Sequence, residues 1–200
     1  MKGILTHTKL TLCGLMMLLA VTAMAQNMNR YVTLNVKQGE QISIDLKAPT
    51  DDNVLARIVS GSTDVTVEVA YWTFHADYYA DADTMTIYGD ITGLDCEENG
   101  SKITGLNAEH SDLLDYLDCS FCEIESLAVN GCDKLLSLFC GNNKITELNM
   151  DYFSKLEELY CNNNNLGKLE LKGCQRLKEL VCNTNSLSDL VLHITTSFTV

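Results

Sequence analysis

A 21-residue pattern occurs four times in the C-terminal half of this 200-residue chain and constrains its fold more than any other feature. With small exceptions each copy reads Leu-x-x-Leu-x-Cys-x-x-Asn-x-(Leu/Ile)-x-x-Leu-x-(Leu/Val/Met), and the copies begin at Leu114, Leu135, Leu156 and Leu177. A fixed step with apolar residues at fixed phases predicts stacked units, each of which buries one face against the next. Such an array usually offers a surface for binding rather than a pocket for chemistry.

Two positions of the repeat that are not leucine are also nearly constant. The sixth position is always cysteine, and the ninth is asparagine except in the first copy. A degenerate fifth copy, from Ile91 to Ala108, precedes the other four and contains two additional residues after Asn99. The sixth-position residues are Cys96, Cys119, Cys140, Cys161 and Cys182, and the ninth-position residues are Asn99, Cys122, Asn143, Asn164 and Asn185.

These residues resemble the leucine-rich repeat family, whose core is Leu-x-x-Leu-x-Leu-x-x-(Asn/Cys)-x-Leu. Cysteine replaces the third leucine here, and this variant is similar to the short repeats of exported proteins from Bacteroidetes-type bacteria. The resemblance covers residues 91–192. It implies a mainly β fold, a short solenoid with parallel strands, and non-catalytic protein–protein interaction or adhesion.

Within each repeat, Leu-x-x-Leu-x-Cys predicts a short parallel strand, and the asparagine side chain is expected to satisfy backbone groups in the turn that follows. The spacers are rich in Lys, Glu, Ser and Gly and contain no helical pattern. The side of the solenoid opposite the leucine strands is therefore predicted to be strand or turn.

Residues 26–90 alternate apolar and polar positions with a period of two, as half-buried strands do. The apolar runs are centred on Leu34, Ile44, Val67 and Met85 to Ile87. Residues 37–40 are predicted to form a hairpin between the first two runs, and residues 49–53 to form a turn after the second. We interpret this segment as a small β-sandwich-like cap, which covers the otherwise open apolar end of the repeats.

The first 25 residues are predicted to be an export signal, with Lys2 and Lys9 before the apolar stretch Leu10 to Val21. The small residues Ala23 and Ala25 mark a cleavage site, so the mature chain is predicted to begin at Gln26. The stretch is shorter than the roughly 20 residues of a membrane span. The mature protein is therefore expected in the periplasm, on the cell surface or secreted, with no membrane span. Residues 193–200 form a C-terminal tail that is neither a repeat nor a polar cap.

The chain is strongly acidic, with 27 acidic and 14 basic residues and a net charge of −13. Without the two lysines of the signal, the charge is about −15. Nucleic acid is excluded as a predicted partner, because phosphate binding depends on Lys and Arg to neutralise charge.

The nine cysteines do not predict a disulfide framework, because the five sixth-position cysteines occupy an inward leucine phase. Side chains in a parallel ladder project side by side, so we expect reduced, buried thiols. Cys132 and Cys174 share another phase with Phe153 and are interpreted as core residues of the far side. The Cys119-x-x-Cys122 spacing is a by-product of the repeat and predicts no metal site.

The candidate ligand-binding residues lie between the inward leucines, on what is the concave face of a leucine-rich array. Three aromatic side chains there are expected to form one exposed patch with acids beside them, and such patches often mark interfaces. Stabilisation of the sheet by cross-strand aromatic pairs is the alternative interpretation. The candidates are Tyr116, Asp118, Phe139, Glu158, Tyr160 and Val181.

No catalytic residue, cofactor or metal ligand is predicted, because His75, His110 and His193 lie in no nucleophile, metal or phosphate motif. The acidic stretch 77–83 lacks the glycine and final glutamate of a calcium loop and is expected to be a solvated loop. The predicted partner is a host or envelope protein. A glycan-binding module, and a structural or vestigial piece of a longer surface array, are the alternatives.

Overall fold

A computed structural model describes residues 27–49 and 53–192, in which every regular element is a strand. The predicted export signal and C-terminal tail lie outside these residues, as do the three central residues of the turn expected at 49–53. The strands are β1 (Tyr31–Val36), β2 (Gln41–Lys47), β3 (Val54–Ser60), β4 (Thr63–Val69), β5 (Ala76–Tyr79), β6 (Thr84–Tyr88), β7 (Gly93–Asp95), β8 (Ile103–His110), β9 (Tyr116–Asp118), β10 (Ser126–Ala128), β11 (Ser137–Phe139), β12 (Glu158–Tyr160), β13 (Lys168–Leu171), β14 (Glu179–Val181) and β15 (Asp189–Leu192).

The repeats contribute one short strand each to a parallel ladder, β7-β9-β11-β12-β14, in unbroken register. The central leucine of every strand is fully buried: Leu94, Leu117, Leu138, Leu159 and Leu180. The cysteine that follows each strand is also buried in the first four turns. The described chain is therefore a mainly β, leucine-rich-repeat-like solenoid of about five turns, as the repeat pattern predicts.

The asparagine ladder is formed as expected. The side-chain amide of Asn143 donates to the carbonyl oxygens of Cys119 and Cys140 at 2.9 and 3.1 Å, and its Oδ1 accepts the N–H of Ile124 at 3.0 Å. Asn164 and Asn185 make equivalent contacts, so each of these amides satisfies polar backbone groups of two consecutive turns. Asn99 donates to the carbonyls of Cys96 and of Ser43 in the cap strand β2, so it joins the first turn to the cap.

The far side of the solenoid is strand and turn, also as expected. β8 and β10 pair in parallel, and β13 and β15 form a separate two-stranded sheet. Cys132, Phe153 and Cys174 are buried there and fill the core. In the last turn Leu190 is 39% exposed, because no further turn packs on it within the described residues.

The cap strands extend the two sheets of the solenoid. β2 pairs antiparallel with β7, and β5 pairs with β2, which completes a seven-stranded sheet β14-β12-β11-β9-β7-β2-β5. On the other side β1 pairs with β8 in a six-stranded sheet, β10-β8-β1-β6-β3-β4. The two sheets share one hydrophobic core.

The hairpin predicted at residues 37–40 is wrong. β1 belongs to the six-stranded sheet and β2 to the seven-stranded sheet, so the turn carries the chain from one layer to the other. Gly39, with a φ of 90°, donates its N–H to the carbonyl of Ala80 in this turn. The alternating residues of both strands are buried, as predicted, because they face the same core from opposite layers.

Two further expectations for the cap need correction. The run at β4 is not evenly half-buried: Val69 is buried, but Val65 is 39% exposed because β4 is an edge strand. The acidic stretch 77–83 is partly strand rather than loop, since β5 includes Asp77. Asp81 accepts hydrogen bonds from the backbone N–H and the hydroxyl of Ser62, which lowers the pKa of its carboxyl and gives it a structural role.

No helix in the described residues is long and apolar enough to cross a membrane.

Candidate binding face

The candidate residues occupy two rows on the outward face of the seven-stranded sheet, for which we keep the name concave face. The registered strand pairs set both rows. The first row is Asp45, Asp95, Asp118, Phe139, Tyr160 and Val181, and the second is Lys47, Gly93, Tyr116, Ser137, Glu158 and Glu179. The strand ladder therefore places all six predicted residues on one surface.

Four aromatic rings form a continuous stripe across this face. The ring centroids of Tyr116 and Phe139 are 5.6 Å apart, and those of Phe139 and Tyr160 are 4.9 Å apart. Trp72 extends the stripe beyond the repeats, with its ring 5.3 Å from that of Tyr116 and nearly perpendicular to it, at 88°. We call Trp72, Tyr116, Phe139 and Tyr160 the aromatic stripe. Its four rings are only partly exposed, because they pack against one another.

Trp72 is the functional candidate that sequence reasoning missed. It lies between β4 and β5 and forms an isolated β-bridge with Lys47, which holds it over the junction of cap and repeats. Gly93 makes this position possible. A Cβ there would lie 2.8 Å from the Lys47 Cβ and 3.2 Å from the edge of the Trp72 ring. In the sequence, this glycine in an otherwise leucine-rich strand is the signal that could have indicated a closely packed neighbour.

Carboxylates line one side of the stripe. Asp45, Asp95 and Asp118 follow one another on adjacent strands, where spacing is about 4.8 Å. Asp118 is only 8% exposed, and its Oδ1 accepts the N–H of Ser120 at 2.9 Å. The sequence predicted an exposed contact residue at this position, whereas the structure places Asp118 in the floor of the face. Asp95 and Glu97 are both partly exposed, and their carboxylate oxygens lie within 4.8 Å of an oxygen of Asp118.

Asp95, Glu97 and Asp118 form no ion pair with any residue that the structure describes. Burial, followed by the charge of Asp118, raises the pKa of Glu97, and burial is likewise the main cause of the raised pKa of Asp95. Burial also raises the pKa of Asp118. Asp45 is different, because it accepts a 2.8 Å hydrogen bond from His75 Nδ1, and this bond raises the histidine pKa.

The acids beside the other half of the stripe have neutral partners. The Ser137 hydroxyl donates to Glu158 Oε2 at 2.8 Å, and the Tyr160 hydroxyl donates to Glu179. The second bond raises the pKa of Tyr160 to about 12. Val181 lies on β14, the outermost strand of the sheet, and ends the first row.

One group of side chains has the donor chemistry of a cation site. Carboxylate oxygens of Asp95, Glu97 and Asp118 lie within 4.8 Å of one another. Calcium takes six to eight oxygen ligands, more than these three side chains supply. The recurrence of aspartate at the same position of two consecutive repeats was the sequence signal for this cluster.

The repeat cysteines do not contribute reactive groups to the face. Cys96, Cys119 and Cys140 are fully buried free thiols, and burial raises the pKa of each well above its ordinary value. The thiolate is the nucleophilic form, so these side chains act as small apolar core residues.

No protein-family model matches the chain, and no curated protein matches it. The chain is similar to the functional domain of InlJ from Listeria monocytogenes, which includes a cysteine ladder, with 35% sequence identity and a TM-score of 0.47. The similarity covers 48% of this chain and 21% of that chain, so it spans about a fifth of the InlJ structure.

Proposed function

We propose that this chain is an exported, non-catalytic protein-binding module that engages its partner through the concave face. The single observation that carries the proposal is the aromatic stripe, four rings in mutual contact on a sheet face whose strands are fixed by the buried repeat core. Tyrosine and tryptophan are enriched in the centres of interfaces, since they combine a large apolar surface with a polar end. The predicted contact residues are Tyr116, Asp118, Phe139, Glu158, Tyr160 and Val181, to which we add Trp72.

Rigidity supports this assignment. Tyr116, Phe139 and Tyr160 each project from a three-residue strand, Trp72 lies in a segment bridged to β2, and each ring packs against its neighbour. Side chains that are already ordered lose little conformational entropy on binding. We accordingly infer an interaction or adhesion role at the cell surface or in the periplasm.

A protein partner fits better than a glycan. Sugar rings stack on flat, open aromatic faces, whereas the rings of this stripe tilt toward one another by 42–43° within the repeats and by 88° at Trp72. The rings therefore form no flat platform on which a sugar ring could lie. Their faces, edges and polar tips suit the varied side chains of a protein.

The test is affinity capture with residues 26–200 as bait, offered envelope extracts and host surface proteins. The parent is compared with the variant Tyr116/Phe139/Tyr160→Ala, and circular dichroism establishes first that both are folded. We expect a partner that the parent retains and the variant loses. Equal capture by both would overturn the proposal, and binding on a glycan array in the absence of any protein partner would replace it.

A further inference from the structure

We propose that the partner inserts a cationic side chain, arginine foremost, between Trp72 and Tyr116 on one side and Asp95 and Glu97 on the other. This inference rests on the proposed function and specifies the chemistry of its partner. The subsite defined by these four residues, which we call the cation subsite, lies where the cap meets the first repeats.

The negative charge of the cation subsite is not balanced by nearby positive side chains. Within the described part of the chain, the nearby cations are engaged elsewhere: Lys47 forms a 2.7 Å ion pair with Asp115, and His75 hydrogen bonds to Asp45. Asp95 and Glu97 form no ion pair in the described residues. Two partly buried carboxylates beside a buried third one attract a cation more strongly than acids in open water do, because solvent screens them less.

Trp72 and Tyr116 form an aromatic wall on one side of the subsite. The rings of Trp72 and Tyr116 stand edge to face, with their centroids 5.3 Å apart. Burial, followed by the negative charges of Asp118, Asp95 and Glu97, raises the pKa of Tyr116, so its ring lies close to these carboxylates. A cation over a tryptophan or tyrosine face is attracted by the ring quadrupole. Carboxylates and aromatic rings on one partly buried surface therefore both favour a positively charged ligand.

The geometry of the subsite favours arginine over lysine. A guanidinium is planar, stacks on aromatic rings and binds carboxylates through two parallel N–H donors. Asp95 and Glu97 present carboxylate oxygens within 4.8 Å of each other, close enough for one fork to reach both. A lysine ammonium is a point charge and gains less from this geometry.

The other half of the stripe does not offer the same site. Glu158 and Glu179 already accept hydrogen bonds from Ser137 and Tyr160, so a cation there would displace or share existing partners. Recognition of the cation is accordingly confined to the half of the face that the cap completes.

The experiment uses Trp72, the single tryptophan of the chain, as a fluorescence reporter. Three acetylated, amidated hexapeptides of alternating serine with arginine, lysine or glutamate are titrated into the full chain at low salt. We expect saturable binding of the arginine peptide, binding several-fold weaker for the lysine peptide, and none for the glutamate peptide. Calcium chloride is titrated separately.

Matched variants separate local recognition from net charge. Asp95→Asn with Glu97→Gln is expected to weaken binding of the arginine peptide at least tenfold. Glu125→Gln with Glu147→Gln removes the same charge from exposed positions outside the strands of the concave face. This control is expected to change the affinity for the arginine peptide less than twofold. Tyr116→Leu removes one ring and should also weaken binding. Circular dichroism establishes that each variant is folded.

Each result decides the matter. An equal loss of affinity for the arginine peptide in both charge variants would show that only net charge matters, and it would overturn the proposal. A fluorescence response to calcium but to no peptide would replace it with a metal site, and no response to the arginine peptide would reject it. If a captured partner depends on the aromatic stripe but not on Asp95 and Glu97, the cation subsite fails while the proposed function stands.

Discussion

At the residue scale, one backbone position distinguishes every turn of the solenoid. The second residue after each repeat cysteine has a left-handed conformation, with φ of 58° at Glu98, 53° at Phe121, 57° at Asn142, 52° at Asn163 and 55° at Thr184. Only asparagine among these residue types adopts this region readily. The repeat pattern predicts the asparagine that follows this position but not the strained turn itself, because three of the five residues carry no turn signal.

Thr184 is the least suited to this conformation, because its β-branched side chain crowds the backbone at positive φ. We expect Thr184→Asn to raise the free energy of unfolding by about 1 kcal/mol, since the left-handed penalty is largely removed. Urea denaturation followed by circular dichroism measures the change. Ser186→Asn, an exposed neighbour without positive φ, is the control and should have little effect. No gain at Thr184 would show that the turn is not strained.

The asparagine ladder gives a second test. The amide of Asn164 donates to the carbonyls of Cys140 and Cys161, and its Oδ1 accepts the N–H of Ile145 at 2.9 Å. Asn164→Ala leaves these buried groups without partners, so we expect a loss of about 3 kcal/mol in the free energy of unfolding. Asn165→Ala, which removes only one exposed contact of 3.5 Å, should change it far less in the same denaturation experiment.

Asp118 makes stability depend on pH in a defined direction. Burial raises its pKa in the folded state, so the folded chain holds this proton more tightly than the unfolded chain does. The stabilisation is complete below the ordinary aspartate pKa of about 3.9 and is lost as pH rises through the raised value. Asp118→Asn keeps the acceptor for the Ser120 N–H and removes the charge.

The Asp118→Asn variant should therefore be more stable than the parent at pH 7, and the difference should shrink as pH falls toward 4. Thermal unfolding of both proteins across this range measures the difference directly. Glu125→Gln, which removes an exposed carboxyl, is the control, and its stability difference from the parent should not change with pH in this way. A constant difference for Asp118→Asn would contradict the assigned cause.

At the element scale, the sequence predicts the repeats well and the cap less well. Periodicity places Leu117 and Leu138 correctly, because each repeat strand pairs with the same element of the next copy. The cap contains no such repeat, so its sequence does not indicate which strands pair with each other. β1 and β2 alternate as hairpin strands do, yet they lie in different sheets. The position of Trp72 depends on this long-range pairing, so the sequence reveals the aromatic stripe only within the repeats.

Gly93 links the cap to the stripe, because any side chain there would meet Lys47 and Trp72. We expect Gly93→Ala to displace Trp72 and to lower the free energy of unfolding by about 1–3 kcal/mol through overpacking. Trp72 fluorescence should shift toward that of a solvated indole. Gly167→Ala is the matched control, since nothing lies within 4 Å of a Cβ at that position. An unchanged Trp72 spectrum in Gly93→Ala would contradict this account of the junction.

At the scale of the whole molecule, both sheets run without a break from the cap into the repeats. β2 pairs with β7 in one layer and β1 with β8 in the other. Ion pairs cross the same junction: Arg30 contacts Asp112 at 2.5 Å, and Lys47 contacts Asp115 at 2.7 Å. In a stacked array each unit is stabilised by its neighbours, so a cap joined in this way shares the stability of the repeats.

This continuity predicts that the cap and the repeats unfold together. Leu159 lies in β12, three strands from β7 in the ladder, and Leu159→Ala should cost about 2–5 kcal/mol because it leaves a cavity in the core. We expect the unfolding transition of Trp72 fluorescence, which reports on the cap, to move to lower urea by as much as the transition of far-UV circular dichroism. Leu94→Ala, at the junction itself, should move both signals in the same way. A Trp72 transition that stays in place when Leu159 is truncated would show that the cap is an independent cooperative unit, since only an uncoupled cap can ignore a cavity in the distant repeats.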